Sequence, residues 1–341
     1  MKKTKLKFQD AVPFIAFAVI FLFFMIASYN PKNSSFRLLA LGNLSNILSQ
    51  TMQTILIASG SLFVVAQGHM DMSVGVNLAL SGVIGTWVAT ATGLDFLLIP
   101  VSMVIGLAVG LFNGVIVSRF KVPSFMVTLA MLIGVRGLVN YIQVAIQMQK
   151  LPESLAFLNG TAVKIPIFII LLLIMAYIFE FTKAGRYSKA IGENEITAKF
   201  VGIPIRKMKL LAFALSGLMA GVAAVFSVVT IGATTQQMGQ FFEMRVIMAI
   251  FLGGVLVSGG SSAKFYKILL GSFSIQIIIN GLAIIGRADS YISQSVQGVL
   301  LVIILALSMY ARMRSERKIT IPDSSLADRA AEPAKAPDAK P

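Results

Sequence analysis

Apolar residues in this chain of 341 residues come in long runs that are separated by short polar turns. Several runs approach the roughly 20 residues that an α-helix needs to cross the hydrocarbon core of a bilayer. We therefore predict an all-α, polytopic membrane protein with about ten transmembrane helices. The predicted spans are 11–28, 43–66, 73–92, 96–118, 125–146, 164–181, 210–231, 244–258, 265–286 and 291–310.

The runs divide the chain into three parts. Residues 1–10 form a basic N-terminal segment, and residues 11–310 form one transmembrane domain. Residues 311–341 are polar and contain proline, alanine and lysine, so we predict a disordered tail. Composition agrees with a membrane protein, because 57% of the residues are hydrophobic and only 13% are charged. Soluble domains average about 45–50% apolar and about 25% charged residues.

Composition also removes several classes of site. The chain has no cysteine and a single histidine, His69, which excludes disulfides, cysteine metal sites and histidine clusters. Residues 253–262 are rich in glycine but lack the Gly-Lys-Ser/Thr ending of a phosphate-binding loop. His69 stands close to Asp71, and a turn is a commoner explanation for this pair than a proton or metal site. We therefore predict no enzymatic activity, cofactor or metal in this chain.

The net charge of +15 is distributed unevenly along the chain. With ten spans, the segments on one side of the membrane carry 22 of the 29 basic residues, and those on the other side carry six. Basic residues concentrate in cytoplasmic loops, so we predict that both termini are cytoplasmic. Nucleic-acid binding needs a basic soluble face, which the sequence does not provide.

Residues 182–209 form the one long hydrophilic loop between spans, with seven basic residues against two acidic ones. Its middle, from Asn194 to Phe200, contains good helix formers, and Gly202 and Pro204 then stop the helix. The pattern predicts a short helix that lies across the cytoplasmic face of the membrane. Such a helix is suited to docking a soluble partner.

Several predicted spans carry polar residues at three- and four-residue steps, which places these residues on one helix face. The candidates on these faces are Gln50, Gln53, Asn77, Asn113, Asn140, Gln143 and Asn280. Polar groups that face lipid are costly, so these faces point into the bundle. They either bond the helices to one another or line a pathway for a polyhydroxylated solute, and the sequence leaves both explanations open.

Two further positions are candidates for a pathway or gate. Arg136 is placed near the middle of a span, where a charge is usually functional, although a structural pairing explains it equally well. Asp71 and Ser73 stand where the third span begins. They either cap this helix or belong to a broken stretch, Gly68–Gly75, that folds into the bundle and makes Asp71 part of a gate.

Several stretches resemble the inner-membrane permease subunits of ribose-type ABC importers. Residues 68–75 (GHMDMSVG) look like the G-G-I-D-L-S-V-G of that family, and Asn113-Gly114 with residues 123–129 looks like its N-G…P-x-F-x-x-T-L. The matches continue through Arg136-Gly137, Gly185-Arg186, Ala190-Ile191-Gly192, Asn194, Gly202-Ile203, Glu243, Gly253-Gly254, Gly259-Gly260 and Asn280-Gly281-Leu282. In sequence order they span about 45–310. Departures include His69 in place of a glycine and Met244-Arg245 in place of L-D.

The resemblance implies a mechanism and partners. Two permeases, either two copies or a homologous pair, form a pathway for a monosaccharide or similar small polyhydroxylated solute in the bacterial cytoplasmic (inner) membrane. Cytoplasmic ATP-binding subunits hydrolyse ATP and dock on the loop helices, and an extracytoplasmic sugar-binding protein delivers the solute. The residues that couple to the ATPase are then Asn194, Ala198, Gly202 and Ile203.

The alternative is a secondary transporter that is driven by an ion gradient. It predicts paired carboxylates or an ion site inside the membrane. Acidic residues avoid the interiors of the predicted spans, with Glu180 near an inner end. The sequence therefore favours the ATP-driven importer.

Overall fold

The computed structural model describes residues 8–30, 35–285, 295–299, 302–303 and 306. This part of the chain is helical apart from one small ribbon, in which β1 (Tyr29–Asn30) pairs antiparallel with β2 (Ser35–Phe36). The helices are α1 (Phe8–Ala27), α2 (Leu41–Ala66), α3 (Val74–Thr92), α4 (Leu98–Phe120), α5 (Ser124–Ile146), α6 (Thr161–Phe181), α7 (Lys183–Glu193), α8 (Glu195–Phe200), α9 (Ile205–Ile231), α10 (Phe242–Leu252) and α11 (Phe265–Ile284). Short 3₁₀ turns lie at Arg37–Leu39, Asp95–Leu97, Glu153–Asn159 and Gly260–Ser262.

Within the described residues, seven helices are long and apolar enough to cross a membrane: α2, α3, α4, α5, α6, α9 and α11. The apolar part of α1, Pro13–Ala27, and the 11-residue α10 are shorter. The chain is thus a multi-pass, all-helical membrane protein. The predicted span 291–310 lies mostly outside the described residues, as do residues 1–7 and the tail 311–341.

Helix α9 lies at the centre of the bundle, where it packs against α2, α3 and α4. Its contact with α4 is made by glycines spaced four apart on both helices, Gly106 and Gly110 against Gly217 and Gly221. A Cβ atom on Gly106 would lie 2.5 Å from the carbonyl oxygen of Gly217. This spacing lets two helix backbones approach closely, which is its usual role in membrane bundles.

The turns of the bundle collect at two ends. At one end, which we call the α8 end, residues 67–73 and 253–264 lie beside α7 and α8, because Gln67 donates to Ser188 and Glu193 accepts from Ser261. At the opposite end, residues 149–151 pair with residues 232–234. The ten-span prediction places the segments rich in basic residues on the side of the α8 end, and the segments with few basic residues at the opposite end.

The predicted span 244–258 is wrong in its length. Helix α10 ends at Leu252, because Gly254, Gly259 and Gly260 adopt positive φ and turn the backbone out of the helix. The segment 232–241 is also more than an outer loop. Its carbonyls accept from Gln143 and Arg136, which lie two turns apart on α5, so the segment descends into the bundle before α10 begins.

Candidate functional site

The predicted loop helix is present as α8 and has the expected caps. The Oδ1 atom of Asn194 accepts from the backbone N–H of Thr197 at 2.9 Å, as an N-cap residue does. After Phe200 the chain turns at Gly202, whose φ is 83°, and the N–H of Ile203 donates to the carbonyl of Ala198. A second helix, α7, precedes it and was not predicted. It begins after Thr182, whose side chain accepts from the N–H of Ala184.

The outer surface of α8 carries exposed apolar side chains beside its polar ones. Ile196 and Phe200 are 70% and 87% exposed, and the following Val201 is also exposed. Exposed apolar side chains that lie together usually mark a surface that binds a partner. Ala198 is 3% exposed and packs against the protein. It therefore supports α8 from below rather than lying on its outer surface, and its part in coupling to an ATPase stays a prediction.

A network of contacts fixes α7, and with it α8, to three transmembrane elements. Glu193 accepts from the N–H of Ser261 at 2.6 Å, and these hydrogen bonds hold the pKa of Glu193 below its usual value. Glu180 at the end of α6 accepts from the N–H of Phe265 and pairs with Lys189 of α7 at 2.6 Å. Gly192 lies against the end of α2, where a side chain would collide with the backbone.

Asp71 lies at the centre of a buried polar cluster near the α8 end. It is 5% exposed. Its Oδ1 accepts from the N–H and the hydroxyl of Ser73, and its Oδ2 accepts from the hydroxyl of Ser216 at 2.8 Å. Asn113 in turn donates to the Ser73 hydroxyl at 2.8 Å, and Ser61 lies 3.3 Å from Ser216. One carboxylate therefore connects the start of α3 with α4, α9 and α2.

Asn77 extends this cluster one turn along α3. Its amide donates to the carbonyl of Gly106 at 3.0 Å, and its oxygen accepts from Ser81. Both residues are buried, and so are Asp71 and Ser73. The structure thus brings four candidate residues together, Asp71, Ser73, Asn77 and Asn113. The irregular backbone of residues 69–73 also contacts α5, since the hydroxyl of Thr128 donates to the carbonyl of Met70 at 3.4 Å.

The polar face of α2 is paired with α11. Asn43 and Asn280 exchange two hydrogen bonds, at 3.0 and 2.8 Å, and Gln276 donates to Gln50 at 2.6 Å. Gln53 is buried on the same face, whereas Gln50 is exposed. Asn43, Gln50 and Asn280 therefore bond the two helices, and only Gln50 also offers an accessible amide.

The polar face of α5 supports the descending segment. Arg136 donates to the carbonyl of Met238 at 2.9 Å, and Gln143 donates to that of Thr235 at 2.9 Å. Asn140 lies between them in sequence and is exposed. Arg136 thus has a structural partner, and its position does not by itself indicate a solute site.

Two charged residues near this segment, Glu243 and Arg245, entered the sequence analysis only through the family resemblance and were not among the candidate site residues. Glu243, in the first turn of α10, is buried against Gly75, and its Oε2 has no hydrogen-bond partner among the described residues. Arg245 lies over the ring of Phe242 at 5.1 Å. The predicted span boundaries placed both residues at the outer surface. The one sequence signal for their burial was Gly239, which allows this loop to approach α3 closely.

His69 lies in the turn between α2 and α3. Burial lowers the pKa of His69 to about 4, and the nearby Lys209 adds to this effect, while Glu195 opposes it. The imidazole is therefore neutral at pH 7. In the parts of the chain that the structure describes, no three His, Asp or Glu side chains are grouped so that they could hold a metal ion.

Known proteins resemble this chain over nearly its full length. The ribose import permease protein of Haemophilus influenzae is 30% identical over 303 residues, covering 85% of this chain and 90% of the relative. The D-allose transport system permease protein of Escherichia coli is 29% identical, covering 89% and 94%. The autoinducer 2 import system permease protein of an Enterobacter species is also 29% identical, covering 89% and 88%.

The family model that matches is described as a branched-chain amino acid transport system / permease component. It covers residues 43–305, which include every described helix except α1. The match contains the buried Asp71 cluster, α8 and the descending segment. This chain is accordingly a member of the family of branched-chain amino acid transport system permease components.

Proposed function

We propose that this chain is the membrane-spanning permease subunit of an ATP-driven ABC importer. The observation that carries the proposal is α8, a short capped helix with exposed apolar side chains that is fixed to the bundle through α7. A helix built in this way can receive force from a soluble partner and pass it to the transmembrane helices. The relatives, whose printed names describe import permeases, support the same function.

We infer that the solute is a monosaccharide or a similar small polyhydroxylated molecule. The family description names branched-chain amino acids, but the names of the relatives refer to ribose, D-allose, L-arabinose and autoinducer 2. Neutral amides such as Gln50 and Asn140, which are exposed on the polar faces, can donate to and accept from hydroxyl groups. An ammonium or carboxylate of an amino acid would need a charged partner, and Arg136, the charged side chain on these faces, already donates to the carbonyl of Met238.

The α8 end is placed in the cytoplasm by this proposal. It carries the basic loop 182–209, and basic loops remain on the cytoplasmic side. With α1, α10 and the span 291–310 added to the seven long helices, the chain crosses the bacterial cytoplasmic membrane about ten times, and both termini are cytoplasmic.

Each end of the bundle is proposed to bind a different partner. An ATP-binding subunit docks on α8 through Ile196, Phe200 and Val201, with Asn194, Gly202 and Ile203 shaping the helix and Ala198 seating it. ATP is hydrolysed in that subunit, and the permease is not itself an enzyme. A solute-binding protein docks at the opposite end, and a second permease, identical or homologous, completes the pathway.

The contacts of α7 indicate which helices respond to the ATPase. Glu193 connects α7 to the turn between α10 and α11, and Gly192 connects it to α2. A displacement of α8 therefore reaches the amide pairs between α2 and α11. It also reaches Ser61 of α2 and through it the Asp71 cluster, for which we propose a gating role.

The alternative is an ion-coupled secondary transporter. The structure corrects one argument against it, because Asp71 and Glu243 are acidic and buried inside the bundle. Asp71, however, already accepts three hydrogen bonds, from the N–H and hydroxyl of Ser73 and from the hydroxyl of Ser216. The ATP-driven importer remains the better supported function.

The test is reconstitution of the permease in liposomes, with and without an ATP-binding subunit and a solute-binding protein. Labelled ribose, D-allose and L-arabinose serve as probes. We expect uptake that requires ATP and all components, and that is abolished when the ATPase cannot hydrolyse ATP. Uptake by the permease alone, driven by a proton or sodium gradient, would establish the alternative.

A further inference from the structure

A cavity of about 200 Å³ lies between α4, α6 and α9, away from the Asp71 cluster. Met103 of α4 and Leu171 of α6 form its walls, and Phe226 of α9 forms its floor. Leu158, from the 3₁₀ turn before α6, closes it towards the end opposite α8. The cavity is apolar except for one side chain, that of Lys164.

Lys164 is a buried cation with no counter-charge among the described residues. It is 6% exposed, and its Nζ donates to the hydroxyl of Thr230 at 2.7 Å and more weakly to Asn159 at 3.5 Å. Both acceptors are neutral, and no carboxylate among the described residues forms an ion pair with it. An ammonium group has three protons to donate, so one remains available.

The position of Lys164 in its helix makes the charge costly. It lies in the first turn of α6, where the helix dipole already contributes positive potential. Burial adds a further desolvation penalty for the charged group. An anion that binds beside Lys164 would offset both effects.

Two residues that line the cavity are also exposed on the outside of the bundle. They are Ile99 of α4 and Ile167 of α6, and the outer faces of both helices are apolar. Lys164 is three residues from the start of α6, about 5 Å along the axis, which is the depth of lipid head groups near the end of a spanning helix. The site therefore combines an apolar slot with a cation at head-group depth.

We propose that this cavity binds the part of one acyl chain nearest the head group of an anionic phospholipid, from the leaflet opposite α8, with its phosphate beside Lys164. The chain fills space that the packing of α4, α6 and α9 leaves empty. The phosphate takes the free donor of Lys164 and displaces the long contact to Asn159. A lipid with net negative charge is preferred, because a zwitterionic lipid brings its own cation. The proposal is independent of the transported solute.

The test uses the full-length protein purified in detergent. Phosphatidylglycerol and phosphatidylcholine with identical acyl chains are added in equal amounts, and the lipids that remain bound are counted by native mass spectrometry. We expect one phosphatidylglycerol to be retained in preference to phosphatidylcholine. Lys164→Gln should lower its retention by about five- to tenfold, the size of one charge-assisted hydrogen bond, and leave phosphatidylcholine unchanged.

Two further variants separate the cavity from the charge. Lys150→Gln removes an exposed lysine at the same end of the bundle and should leave the retention of phosphatidylglycerol unchanged. Leu171→Phe fills the cavity and should reduce retention although Lys164 is intact, which keeps the proposal testable if Lys164→Gln does not fold. Glycerol phosphate, which has the head group without chains, should not compete.

Equal retention of the two lipids by the wild-type protein would show annular lipid only and overturn the proposal. So would unchanged retention of phosphatidylglycerol in both Lys164→Gln and Leu171→Phe. Competition by glycerol phosphate would point to a site for free phosphate and would equally refute the lipid.

Discussion

Replacement of Asp71 by asparagine separates the charge of this residue from its hydrogen bonds. In the wild-type protein, Oδ1 accepts from the N–H and hydroxyl of Ser73, and Oδ2 accepts from Ser216. The amide oxygen of asparagine can occupy the Oδ1 position. Its NH₂ group then faces the Ser216 hydroxyl, which can accept instead and turn its own proton towards Ser61, 3.3 Å away. The variant thus keeps the shape and the contacts but has no charge.

Asp71→Ala provides the structural comparison. The two hydroxyls have other neighbours, since Ser73 still accepts from Asn113 and Ser216 still lies beside Ser61. The buried N–H of Ser73 loses its acceptor, which costs about 1–3 kcal/mol, and truncation of the side chain adds a small cavity. We expect Asp71→Ala to destabilise the protein by about 2–4 kcal/mol and Asp71→Asn by less than about 1 kcal/mol.

The two variants are compared by thermal unfolding in detergent and by sugar uptake into liposomes that contain the complete importer. If Asp71 is part of a gate that needs the charge, Asp71→Asn unfolds within a few degrees of wild type but transports poorly. Wild-type uptake by Asp71→Asn refutes the gating role. Uptake that falls only in proportion to the folded fraction, in both variants, would leave Asp71 as a structural residue at the start of α3.

Three further predictions concern α8, the polar faces and His69. Phe200→Glu should abolish co-purification of the ATP-binding subunit without loss of folded permease, whereas Phe120→Glu, an exposed control at the same end, should not; intact binding by Phe200→Glu would contradict docking on α8. In a chain without cysteine, a cysteine at the exposed Gln50 should react with a polar thiol reagent, and one at the buried Gln143 should not; equal protection would mean that no water reaches the α2 face. His69 has a folded pKa of about 4 against 6.5 when unfolded, so the unfolded state binds more protons between these values and acid lowers stability. His69→Asn should remove up to about 3 kcal/mol of this loss between pH 6.5 and 4, seen as a flatter dependence of Tm on pH, and an unchanged slope would contradict the burial of the neutral ring.

The hydrophobic runs predicted most of the long helices, because the thickness of the bilayer sets the length of a spanning helix. Helix α5, for example, begins one residue before the predicted span and ends where predicted. The caps of α8 could also be predicted from the sequence, since Asn194 and Gly202 act through local backbone geometry. Which face of α8 packs against the protein could not be predicted from the sequence. A helix of six residues is too short to show a periodic pattern of apolar side chains. Tertiary packing therefore decides that Ala198 faces inward.

Contacts between distant parts of the chain account for the other errors. Whether an amide bonds a neighbouring helix or faces a pathway depends on which side chain lies opposite it. The sequence does not show this, because partners such as Asn43 and Asn280 are 237 positions apart. The descent of residues 232–241 was hidden because a polar stretch between two apolar runs has the composition of an ordinary loop. Its burial depends on Arg136 and Gln143, whose partners are backbone carbonyls without any sequence signature.

The glycine contact between α4 and α9 limits how this protein can change shape. Side chains that interdigitate can exchange rotamers and let two helices slide, but here backbone meets backbone at Gly106, Gly110, Gly217 and Gly221. Neither helix can rotate about its axis without driving a carbonyl into its neighbour. We therefore expect the pair to move as one stiff body, so that a change of angle between helices would fall outside this contact.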